Sequence, residues 1–232
     1  MPVSARSHKS MLFRITRIAL LSACLATAGS MADEATALHA DMQGGMDAEG
    51  EALATALWLA AAEGDLERLN HLLAIGAEVQ AQPTGVPTSA LWIAAQEGHT
   101  EIVKLLLALG ANIEDQEPSD GRTALFQASQ EGHPEIVNLL LEHGARVNAA
   151  SASTGATPLF IAAARGHVDV VLLLLEAKAN AHVVASANGI ADSPSSIARK
   201  RGHAGIVELI ENYSRADARP TLSWPTGEGI AH

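Results

Sequence analysis

The chain has 232 residues, 48% of them apolar but only 3% aromatic, and carries 26 acidic against 15 basic residues for a net charge of −11. That length suits one domain or a short repeat array, and a core so poor in rings has to be built from Ala, Leu, Ile and Val on closely spaced helices. The acidity argues against nucleic acid as a partner, and the single cysteine, Cys24, excludes an intrachain disulfide and a Cys-rich zinc site.

Residues 1–28 read as a targeting segment. No acidic residue precedes Asp33, whereas Arg6, Lys9, Arg14 and Arg17 are basic; an apolar stretch from Ile18 to Ala26 follows, and then the small triplet Ala26-Thr27-Ala28. Basic, apolar and A-x-A in that order is the layout of a secretory signal peptide cleaved after Ala28. The same composition also suits a mitochondrial transit peptide. Leu21-Ser22-Ala23-Cys24 resembles a lipoprotein box, although only Ile18 to Leu21 would then serve as its apolar region. A tail with chance hydrophobicity is the remaining alternative. The apolar run is too short to cross a bilayer, which takes about 20 residues as a helix. Cleavage would leave 11 basic and 26 acidic residues, a net charge of 11 − 26 = −15, and no thiol, which suits an oxidising compartment. The expected location is therefore secreted or periplasmic, with an organelle as the alternative.

Residues 29–54 are acidic and weakly periodic, and read as a linker or a partial capping helix, the linker being preferred. From there one period dominates. TALWLAAAEGD, SALWIAAQEGH, TALFQASQEGH and TPLFIAAARGH begin at Thr55, Ser89, Thr123 and Thr157, each 34 residues after the last, and a weaker copy, SPSSIARKRGH, begins at Ser193 after two extra residues. Every copy continues into a second apolar stretch, from LERLNHLLAIGA to the truncated GIVELIENY.

One unit is legible in physical terms. The hydroxyl residues Thr55, Ser89, Thr123, Thr157 and Ser193 stand where a helix N-cap accepts an orphan backbone N–H, and Pro158 and Pro194 follow at the first helical position. An Ala-rich helix then runs to Gly64, Gly98, Gly132, Gly166 or Gly202, where glycine accepts the left-handed conformation. A second helix opens on Glu67, Glu101, Glu135 or Asp169, which complements its dipole, and stops at Gly76, Gly110 or Gly144. The polar stretches QAQPTGVP, DQEPSDG and AASASTG are predicted hairpin-like fingers. No unit covers its own apolar stripe, so neighbours must stack.

This pattern resembles the ankyrin-repeat family, whose unit of about 33 residues carries T-P-L-H-x-A, a G-H step and a G-A stop. The tetratricopeptide repeat has a similar period, but its tryptophan and tyrosine positions are missing. The resemblance covers roughly 55–213 and implies an all-α repeat solenoid, with units over about 55–86, 87–118, 119–152, 153–186 and 187–213 and a disordered tail over 214–232. Within that tail, Trp224 is expected to fold back on the array rather than to serve as a docking motif.

Three departures from the family pattern stand out. Its signature histidine, which ties a repeat to the neighbouring loop, is replaced by Trp58, Trp92, Phe126, Phe160 and Ser196, so apolar contacts are expected to stand in for polar ties. Lys178 occupies a glycine stop, where a Cβ with φ > 0 is strained, which predicts a weaker junction between repeats four and five. Ser195 replaces the leucine of the last first helix, as befits a polar cap.

No residue pattern marks a catalytic or metal site. His99, His133, His167 and His203 recur at equivalent positions, but helices about 8–10 Å apart do not bring equivalent residues within the roughly 2 Å that zinc requires. No phosphate loop, G-x-S-x-G or H-E-x-x-H is present. The expectation is a monomeric, non-catalytic protein-binding module without metal, cofactor or membrane span. The alternatives are a structural or chaperone-like scaffold, and a histidine-based metal- or ligand-handling protein.

In the family's geometry the fingers and the exposed end of each first helix form one concave surface. The residue pairs before each G-H step would lie on it: Ala62-Glu63, Gln96-Glu97, Gln130-Glu131, Ala164-Arg165 and Lys200-Arg201. Three acidic rungs followed by two basic ones predict a partner of opposite polarity, with Asp115, Asp120 and Arg122 of a finger adding to the contact.

Overall fold

The computed structural model describes residues 37–187 and 190–217. The chain forms two compact units, Met1–Leu53 and Ala54–His232. Helix α1 is Ala37–Glu63, so residues 37–54 are helical, in line with the capping-helix alternative and not with the preferred linker. Thr55 accordingly sits inside a helix, and the N-cap role expected of it is corrected.

The second unit alternates two kinds of helix. First helices are the end of α1, α3 (Ala90–Glu97), α5 (Ala124–Glu131), α7 (Pro158–Arg165) and α9 (Pro194–Arg201). Second helices are α2 (Leu66–Ala74), α4 (Thr100–Ala108), α6 (Pro134–Glu142), α8 (Val168–Glu176) and α10 (Ala204–Asp217). The last of these carries residues 214–217, which were expected in the tail; Trp224 lies outside the described residues. From α3 onward the expected caps form. The hydroxyls of Ser89, Thr123, Thr157 and Ser193 each accept the backbone N–H three residues on, at 3.2–3.3 Å.

Stacking follows from which side chains are small. Ala60, Ala94, Ala128, Ala162 and Ala198, one per repeat, are all fully buried, and a methyl at that place lets first helices approach closely. Leu57, Leu91, Leu125 and Leu159 of the first helices are buried as well, as are Ile102, Ile136, Val170 and Ile206 of the second helices. Each such side chain contributes about 1.5–3 kcal/mol by leaving water. From α3 onward first helix packs on first helix, and each second helix packs on its own first helix.

The fingers are short and paired. Gln116 and Thr123 form an isolated antiparallel bridge. In the last loop β1 (Ala185–Ala187) pairs with β2 (Ile190–Asp192), so the longer loop before the fifth copy forms a true hairpin. Ala185 at its base joins Phe126, Ala156 and Phe160 in one buried cluster.

Lys178 has φ of 65°, the one non-glycine with positive φ among the described residues. Its ammonium donates to the Tyr213 hydroxyl at 3.1 Å and lies 5.5 Å from that ring's centroid, which offsets part of the strain. A Cβ built at the equivalent Gly76, Gly110 or Gly144 meets nothing within 4 Å, so the cost at this position is conformational rather than steric. Lys178→Gly is expected to raise stability by about 0.5 kcal/mol, about 1 kcal/mol of relieved strain less the lost cation–ring contact. Urea unfolding of the two proteins measures it, and a loss of stability would show the Tyr213 contact to be the larger effect.

Candidate functional site

Polar ties between repeats are present, which corrects the expectation that apolar contacts alone replace the missing histidine. The Trp58 indole N–H donates to the buried Thr88 hydroxyl at 3.1 Å, and that of Trp92 donates to the Arg122 carbonyl at 3.0 Å. Tryptophan keeps a donor where histidine would have one. At the G-H step, Nε2 of His99, His133 and His167 donates to the carbonyls of Ala62, Gln96 and Gln130, at 3.0–3.1 Å. These imidazoles are thus engaged in holding repeats together. This explains why the second helices that follow them lack a side-chain cap, whereas Asp65 caps α2 through the Arg68 N–H at 2.9 Å.

The residues expected on the first-helix face divide into a polar rim and buried members. Glu63, Glu97, Glu131, Arg165, Lys200 and Arg201 are exposed, and Gln96 and Gln130 are half-buried. Glu63 pairs with Arg68 at 3.3 Å between two exposed side chains, a contact of small energetic consequence. Lys200 is held by Asp192 at 2.7 Å; the hydrogen bonds from Lys200 and Ser196 keep that carboxyl below its ordinary range. Gln96 and Gln130 each donate to the next residue's carboxylate, Glu97 and Glu131, at 2.8 Å. Among the described residues Glu131, Arg165 and Arg201 form no ion pair.

The finger residues behave differently. Asp120 is only 7% exposed. It accepts from the Ser151 hydroxyl at 2.8 Å, the Ser153 N–H at 2.9 Å and Arg122 Nε at 2.6 Å. Burial by itself would raise its carboxyl, but the hydrogen bonds from Ser153, Ser151 and Arg122 outweigh that and hold it well below the usual carboxylate range. Asp120 therefore clasps one finger to the next. Arg122 is half-buried, its guanidinium 5.3 Å from the Phe126 ring centroid, and Asp115 accepts from Gln82 of the preceding finger at 2.8 Å. Their polar groups are engaged by contacts within the array.

One residue of this face was not singled out from sequence. Gln127 stands where the other first helices carry Leu59, Ile93, Ile161 and Ile197. It is 4% exposed, and the signal that could have found it is a polar residue breaking an aliphatic column.

A family model described as Ankyrin repeats (3 copies) matches residues 57–151 and 91–186, more than half of the chain. The chain belongs to the ankyrin-repeat family. Ankyrin arrays are in general protein–protein interaction modules and are typically non-catalytic. Among the curated proteins no match was found. No helix among the described residues is long and apolar enough to cross a membrane.

Proposed function

We propose that this ankyrin array binds a defined protein partner along its first-helix face, without catalysis, after export directed by residues 1–28. The observation that carries the reading is the order of charges on that face. Exposed Glu63, Glu97 and Glu131 are followed by exposed Arg165 and Arg201, and Glu131 and the two arginines form no ion pair among the described residues. A partner segment of reversed polarity would be steered in and set in register, while one of matching polarity would meet repulsion at both ends.

Capture from extracts of the source cells tests this, with residues 29–232 and a Glu97→Lys/Arg165→Glu double variant as baits. Both substitutions are at exposed positions, so folding is expected to be unchanged by circular dichroism. The expected result is one protein retained by the unmodified bait and lost, by ten-fold or more, from the variant. Equal capture of the same set by both baits would instead favour a structural or chaperone-like scaffold. Cleavage after Ala28 is read separately by mass spectrometry of the mature chain.

A further inference from the structure

We propose that the first-helix face holds, at its centre, a pocket for one guanidinium side chain of the protein partner, with Gln127 as its buried acceptor and Glu131 as its counter-charge. This rests on the partner-binding reading above and names the chemistry it would recognise.

The Gln127 carbonyl Oε1 is buried and has no hydrogen-bond partner among the described residues. An orphan acceptor destabilises the free protein, and an aliphatic side chain at that place, as in the four other repeats, would avoid the cost. The amide's orientation is settled by its neighbours. Gln96 donates to the Glu97 carboxylate at 2.8 Å and so turns its own Oε1 towards Gln127, whose Nε2 donates to it at 3.1 Å. Turning Gln127 round would set two oxygens against each other; turning both amides would set the Gln96 oxygen against the Glu97 carboxylate. The unpaired oxygen is therefore a property of the pair.

The surplus at this point is in acceptors. Glu131 lies one helical turn beyond Gln127 on the same face of α5, and among the described residues its side chain receives only the Gln130 amide. What such a place lacks is a group carrying several N–H donors and a positive charge. A guanidinium has five donors in a planar fork and can serve an amide oxygen and a carboxylate at once. The half-buried Gln130, which now donates to Glu131, is the side chain that would move to admit it, while Gln96 keeps its hold on Gln127. Gln127 and Glu131 belong to the third of five repeats, the last acidic rung before Arg165, so an arginine seated there would also set the partner's register.

The test is an NMR titration of the ¹⁵N-labelled full chain with L-argininamide, and with norleucinamide as a control that shares the α-amino group and lacks the guanidinium. The expected result is saturable shifts at the side-chain amides of Gln96 and Gln127 with argininamide and none with norleucinamide. Gln127→Ile and Glu131→Gln are each expected to weaken binding at least ten-fold, while Gln127→Ile raises the urea midpoint of the free protein. Non-saturating shifts spread over other exposed carboxylates, binding retained in Gln127→Ile, or a lowered midpoint in that variant would each overturn the pocket. If argininamide fails while the charge-reversed bait still loses its partner, the pocket falls and the binding face stands. If argininamide binds as described while both baits capture the same set, the pocket stands and the partner reading falls.

Discussion

Gly98→Ala is expected to cost about 3 kcal/mol of folding free energy, against about 1 kcal/mol for Gly110→Ala. Both glycines have positive φ, 84° and 80°, so an alanine at either bears the same conformational strain. Their surroundings differ. A Cβ at Gly98 would stand 2.7 Å from Cε1 and 3.0 Å from Nδ1 of His133, whereas one at Gly110 meets nothing within 4 Å. The imidazole has little freedom to withdraw, because its Nε2 is bonded to the Gln96 carbonyl at 3.0 Å. Moving it breaks that bond and leaves a half-buried carbonyl without its donor. The damage falls on the junction between the second and third repeats, and an array held by nearest-neighbour interfaces is weakest where one interface fails. Urea unfolding of the two variants side by side measures the difference. Equal losses would mean that the ring yields and that the histidine tie contributes little.

Asp120→Ala is expected to cost about 2 kcal/mol, because it strands the Ser153 N–H, the Ser151 hydroxyl and Arg122 together. Its pH dependence separates the charge from the shape. A carboxyl held below the ordinary range ionises more readily folded than unfolded, so its contribution is fully present above the unfolded value of about 4. That contribution is lost as pH falls below this value towards the folded one. Asp120→Asn keeps the size of the side chain and lacks the charge. The stability gap between unmodified protein and Asp120→Asn is therefore expected to be constant from pH 7 to about 5 and to shrink below about 4. A gap that does not change with pH would show that the carboxylate's charge plays no part in the clasp.

How much of this was readable in advance depends on how far each residue is from its partner along the chain. The caps at Ser89, Thr123, Thr157 and Ser193 bind a backbone N–H three residues away, and the strain at Lys178 is a property of one residue's own backbone. Both were legible. The column of Ala60, Ala94, Ala128, Ala162 and Ala198 was legible too, since five aligned copies, four of them 34 residues apart, leave little choice of which face is shared. Charge order on the first-helix face could be stated from sequence because the rim residues are exposed and take their character from composition.

Other features reach across repeats. The indole N–H of Trp92 meets a carbonyl 30 residues on, and replacing histidine by tryptophan looked like the loss of a polar tie only because that carbonyl's position was unknown. Asp120, expected from sequence to add to a partner contact, is covered by the next finger with Ser151 and Ser153. Likewise, the helix over residues 37–54 displaces a linker reading, since weak periodicity gives no sign of a helix that carries on into a repeat. Sequence by itself determined the repeat, the helix starts at Ser89, Thr123, Thr157 and Ser193 and the glycine stops, because these are set by local sterics and short-range hydrogen bonds. Only the tertiary structure decided which polar groups stay in water and which close the junctions, and that one amide of the central repeat is left unsatisfied. Those outcomes depend on where a neighbouring repeat places its oxygens, which no local rule specifies.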